Sequence, residues 1–133
     1  IIKGASLMTD TTYEIQRDLP FKSKVVCYKV NNLLMENASY ENAPAIAPPR
    51  EKTGSTDFGN VLYEVPGSCI RIAFTQPDAQ PHSQEYLDAG KSQAAHDAIV
   101  YAAKIIADSI SDVLTNPGLL EEIKEEFNAA KEK

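Results

Sequence analysis

Residues 92–114 carry apolar side chains every three or four positions: Ala95, Ala98 and Ile99, Ala102, Ile105 and Ile106, Ile110, Val113. The spacing predicts an amphipathic helix of about six turns, longer than a chain can keep without a layer to lie on. Much of its stripe is alanine, which allows close approach to a sheet or to another helix. Asn116-Pro117 ends the run and starts a second helix, with Asn116 as N-cap, Pro117 in the first turn and Glu121 and Glu122 near the positive end. Leu120, Ile123 and Phe127 form the apolar side of that helix, and the tail from Ala129 to Lys133 is expected to fray.

Upstream the period changes from helical to alternating. Residues 1–8 read as the last turns of a helix, with Ile1, Ile2, Ala5 and Met8 at helical spacing. Residues 11–17 alternate, Tyr13 and Ile15 against Thr12, Glu14 and Gln16, as in a half-buried strand that needs a sheet to join. Pro20 stops it. Residues 25–30 are rich in β-branched side chains and predict a strand, followed by a short helix over 32–37. Pro44, Pro48 and Pro49 mark an extended linker over 41–52. Two further strands are expected at 61–65, bounded by Pro66-Gly67, and at 69–74, where Ile70, Ile72 and Phe74 alternate with Cys69, Arg71 and Ala73. Strands interleaved with helices predict an α/β layered fold, although the strands are few for an independent doubly wound domain.

A chain of 133 residues with 43% apolar and 24% charged residues can build one ordinary core. Its net charge of -6 argues against a nucleic-acid or anionic-membrane partner, for no basic stripe is present to neutralise phosphates. No apolar run approaches the roughly 20 residues a bilayer demands. Cys27 and Cys69 are expected as buried, reduced thiols of a cytoplasmic protein, because disulfide frameworks use closely spaced even sets. The chain opens Ile1-Ile2-Lys3-Gly4, with no charged segment leading into an apolar one and no initiator methionine. Its start is expected to lie inside a longer protein.

His82, in a proline-rich loop ahead of Ser83-Gln84-Glu85, has the residue type of a metal ligand or general base; an exposed loop histidine without a role is the plain alternative. His96 lies on the long helix, where a histidine hydrogen-bonded into the packing is the simpler expectation. A catalytic zinc takes at least three protein ligands, and no short His-x-x-x-His spacing occurs. Gly54-Ser55-Thr56-Asp57 could bind a substrate carboxylate through backbone and hydroxyl donors, or serve as a turn whose side chains satisfy local backbone groups. Gly90-Lys91-Ser92 is no phosphate loop, since Glu85 stands where the first glycine is needed and no strand precedes it.

Taken as an ordered set, Gly54-Ser55-Thr56-Asp57-Phe58-Gly59-Asn60-Val61, Val65-Pro66, Pro81-His82-Ser83, Gly90-Lys91-Ser92, Ala95-His96 and Ala102-Ala103-Lys104 resemble the C-terminal part of the aminoacylase and carboxypeptidase-type amidohydrolases. The branch of p-aminobenzoyl-glutamate hydrolases and N-acyl amino-acid amidohydrolases is the most similar. The resemblance implies residues 1–17 as the end of a lid (dimerisation) domain, preceding a hinge, short helix and linker over 18–52. Residues 53–133 are then the C-terminal part of a zinc-peptidase-like catalytic α/β domain. It further implies two divalent ions, usually zinc, a glutamate base, and hydrolysis of the amide of an N-acyl amino acid or small peptide. His82 would be the metal ligand contributed by this part. Ser55, Thr56 and Asp57 would support or touch substrate, and His96 is a site-supporting position with no assigned chemistry. No catalytic residue falls in this stretch, because the other ligands and the base belong to the N-terminal half of such proteins. The expected partners are therefore that half, the substrate and a second copy, and the chain alone is expected to be inactive. A non-enzymatic α/β interaction module that keeps the scaffold is the alternative.

Overall fold

The computed structural model describes residues 1–47, 54 and 56–132. Its described elements are helices: α1 (Ile2–Thr9), α2 (Tyr28–Tyr40), α3 (Phe58–Glu64), α4 (Gln84–Ala89), α5 (Gln93–Thr115) and α6 (Pro117–Lys131). The long helix and its successor form as their periodicity dictates. Ser92 caps α5, its Oγ accepting from the Ala95 amide at 3.2 Å, and Asn116 caps α6, its Oδ1 accepting from the Leu119 amide at 3.3 Å.

Helices α2, α5 and α6 pack against one another and make the body of the molecule. At its centre Ile105 is fully buried against Leu34, Ala38 and Ala43, with Val30, Ile70, Ile72 and Tyr101 closing the cluster. A polar seam runs beside it. Asn37 Nδ2 donates to Ser109 Oγ at 3.0 Å and to Asp112 Oδ2 at 2.9 Å, tying α2 to α5. The buried Ser109 hydroxyl donates in turn to the Ile105 carbonyl.

Helix α2 begins without a capping side chain of its own. The missing acceptor comes from α6: Glu126 accepts from the amides of Tyr28 at 3.1 Å and Lys29 at 2.8 Å, and from the Cys27 thiol at 3.1 Å. A carboxylate there satisfies orphan amides and meets the positive end of the helix dipole. Lys29 adds an ion pair to Glu122 at 2.6 Å.

The expected α/β arrangement does not form: among the described residues there is no strand and no sheet. A strand exists only with a partner for its amides and carbonyls, and the candidate segments find none here. Residues 11–17 form neither helix nor strand and are exposed, and α1 before them buries nothing. Residues 69–74 keep the predicted alternation, with Ile70, Ile72 and Phe74 less exposed than Cys69, Arg71 and Ala73, but form no strand. Cys69 is thus exposed rather than buried, whereas Cys27 is buried; both are free. The expected strand at 25–30 turns helical from Tyr28, and the one at 61–65 is helical up to Glu64, where Leu62 is buried. Residues 48–52 of the predicted linker lie outside the described residues.

Helix α3 is held by the segment before α2. Asn60 reaches across with both ends of its amide, Oδ1 accepting from the Lys22 amide at 2.7 Å and Nδ2 donating to the Pro20 carbonyl at 3.1 Å. The approach is so close that a Cβ on Gly59 would stand 2.2 Å from the Lys22 carbonyl oxygen. Gly59→Ala is therefore expected to cost about 1–3 kcal/mol, as overpacking does. Urea unfolding reads the loss, and faster hydrogen exchange at the Lys22 amide locates it at the clasp. An unchanged midpoint would mean that residues 20–24 shift freely.

Candidate functional site

The loop carrying His82 is assembled from local turns. The Ala79 amide donates to the Gln76 carbonyl at 3.1 Å, and Gln80 Nε2 donates to the Asp78 carbonyl. His82 follows with φ 66°, in the left-handed region that few side chains adopt, and is exposed. Ser83 closes the loop, its Oγ accepting from the Tyr86 amide at 3.1 Å to cap α4. The Tyr86 ring stands edge-on to Phe74 with centroids 5.0 Å apart. The histidine is thus presented outward from a turn fixed on both sides.

The other predicted residues lie elsewhere. Thr56 Oγ1 accepts from the Phe58 amide at 3.2 Å and so starts α3, while Asp57 occupies the N-cap position, exposed, without a side-chain cap bond. Ser55 is outside the described residues. His96 is exposed on the first turn of α5 rather than packed. Among the described residues no three His, Cys, Asp or Glu side chains come together as a metal-holding group. His82 alone does not fit a two-ion centre, so no metal-dependent step can be built from the described residues.

Sequence reasoning missed two hollows. One, of about 360 Å³, is lined by Asn37, Tyr40, Asp108, Ser111 and Asp112, where Asp108 Oδ2 is buried without a hydrogen-bond partner. The other, of about 690 Å³, opens between the 42–45 turn, the 73–76 segment, α4 and the start of α5. The Asp108 and Asp112 pair at helical spacing was a readable signal for the first; nothing local announces the second.

The thiol–carboxylate contact also shapes its own electrostatics. Burial pushes the Cys27 thiol up, and the neighbouring Glu126 carboxylate adds to the rise, so the thiol stays a neutral donor. Burial also acts to raise Glu126. The hydrogen bonds from Lys29, Cys27 and Tyr28 and the Lys29 charge outweigh it and hold the carboxyl below its ordinary value of 4.5.

No family model matches the chain. It is 35% identical to the Xaa-Arg dipeptidase of Mus musculus over 134 aligned residues, which cover 94% of this chain and 30% of that protein. It is 42% identical to the Xaa-Arg dipeptidase of Homo sapiens over 76 residues, 56% of this chain and 17% of that one. The chain therefore spans less than a third of the length of these curated relatives. Similarity to part of a dipeptidase supports the broad class of amidohydrolases and peptidases without distinguishing its branches.

Proposed function

We propose that the chain is a piece of a two-metal amidohydrolase or peptidase that cleaves the amide bond of N-acyl amino acids or small peptides, and that it is inactive alone. The observation that carries this reading is the mouse relative, matched along almost the whole chain by less than a third of its own length. The name of both relatives makes an Xaa-Arg dipeptide the first substrate to test. In this reading His82 is a metal ligand, and Ser55, Thr56 and Asp57 lie toward the substrate, with His96 in a supporting position. Residues 1–17 end a lid domain and 53–133 belong to the catalytic domain.

The surface supports a missing neighbour. Ile99, Ile106, Ile110 and Leu114 follow one another along α5 on the face away from its packing, and all are exposed. Ile1, Ile2, Leu7, Met8, Tyr13 and Ile15 are exposed in the N-terminal arm. Apolar surface of this extent belongs against something else. The rest of the longer protein, or a second copy in a homo-oligomer, would cover it. The free cysteines accord with a cytoplasmic location.

The test is reconstitution. The purified chain with zinc should release no amino acid from an N-acyl substrate or an Xaa-Arg dipeptide. In the complete protein, His82→Ala should lower bound zinc and abolish hydrolysis while leaving the fold intact by circular dichroism. Hydrolysis by the chain alone, or undiminished zinc in the His82→Ala protein, would overturn the reading.

A further inference from the structure

The outer face of α5 is apolar where a surface helix ordinarily turns charged side chains to water. Ile99, Val100, Ile106, Ile110 and Leu114 are 47% to 76% exposed, and Ala103 and Ala107 are exposed among them. Positions 99 and 106, 100, 107 and 114, and 103 and 110 recur at the seven-residue interval of helices that pair along their length. The stripe runs for about 22 Å, and His96 stands at the end nearest the start of the helix. Charges of α5 are drawn to the opposite flank, Lys104 to Glu41 at 2.8 Å and Asp112 to Asn37 at 2.9 Å. The stripe presents roughly 600 Å² on one copy, so two copies would withdraw roughly 1,200 Å², where specific interfaces begin.

We infer that this face is a two-fold interface between two copies of the chain, their α5 helices antiparallel. The stripe fits itself in that direction. A two-fold axis between positions 106 and 107 sets Ala103 of each copy against Ile110 of the other, small against large. The same axis brings Ile99 and Val100 level with Val113 and Leu114 of the second copy, and holds the two His96 side chains at opposite ends. A parallel pair would stack alanine on alanine, crowd Ile110 on Ile110 and bring the two imidazoles together. A surface shaped for an unrelated partner has no need to complement itself. The inference rests on the proposed reading only in taking this face as covered in the assembled protein. Assembly is read without zinc or substrate, so dimerisation and hydrolysis can fail separately.

Sedimentation equilibrium of the 133-residue chain should show monomer and dimer exchanging with a dissociation constant of about 10–100 μM, as suits an interface at the small end. Ile106→Lys, an exposed position, should raise that constant about tenfold or more with circular dichroism unchanged, because each copy would bring an unpaired charge into the seam. Crosslinking reads the direction. With the exposed Cys69→Ser as background, a mixture of Ala103→Cys and Ile110→Cys chains should oxidise to a mixed disulfide dimer. Neither should crosslink alone, since like positions then lie about 10 Å apart along the helices. This arm does not depend on how the lysine variant folds. A monomer throughout that range, self-crosslinking of Ala103→Cys, or a dimer that Ile106→Lys leaves intact would overturn the inference. In the complete protein, failure of the same cysteine pair to crosslink would assign the face to the rest of that polypeptide and equally overturn it.

Discussion

Ile105→Ala is expected to destabilise the chain by about 3–4 kcal/mol, within the range for removing a fully buried isoleucine. Ile105 is 0% exposed and is the buried centre of the contact between α5, α2 and the 70–72 segment. Its deletion removes apolar transfer energy and leaves a cavity that Ala38 and Ala43, already the smallest side chains, cannot fill. Domains of this size have only about 5–15 kcal/mol in total, so the variant should sit close to unfolding. Urea denaturation should show an earlier midpoint with an unchanged slope, and Ile105→Val should lose about 1 kcal/mol. A loss below about 1 kcal/mol for the alanine variant would mean that the three-helix centre is not the source of stability.

Glu126→Ala should have the second largest effect, about 2 kcal/mol, because it strands the first amides of α2 and the Cys27 thiol together. Glu126→Gln keeps an acceptor but loses the charge, and should fall between. The pH dependence has a fixed sign. The folded carboxyl is held below its ordinary value of 4.5, so its contribution is complete above that pH and is lost as pH falls through the lowered folded value. Melting temperatures of wild type and Glu126→Gln should therefore differ near neutrality and converge in acid. A constant gap down to strongly acidic pH would remove Glu126 from the account of the α2–α6 junction.

What could be read from the sequence was whatever a residue and its near neighbours decide together. The stripe of α5 and the cap at Asn116 are local, and they form as expected. The inward side of 69–74 was also legible, since alternation shows which residues turn in; whether a ladder forms depends on a second segment. Residues 61–65 show the ambiguity of a short apolar run, decided here by the Thr56 hydroxyl that starts a helix. The part of α2 over 32–37 was legible as a short helix, but its start at Tyr28 was hidden because Val25, Val26 and Val30 favour a strand, while its cap lies on another helix. The Asn60 clasp was hidden for the same reason. Of the candidate site, the loop position of His82 was legible, but its left-handed backbone could not be read from the residue alone. Thr56 turns out to spend its hydroxyl on its own helix.

The Glu126 cap has a consequence for the order of events at the ribosome. Translation delivers residues 27–29 long before residue 126, so the first turn of α2 lacks its cap until about a hundred further residues have been made. The three-helix body cannot be completed from α2 forward; it closes only once α6 has left the exit tunnel.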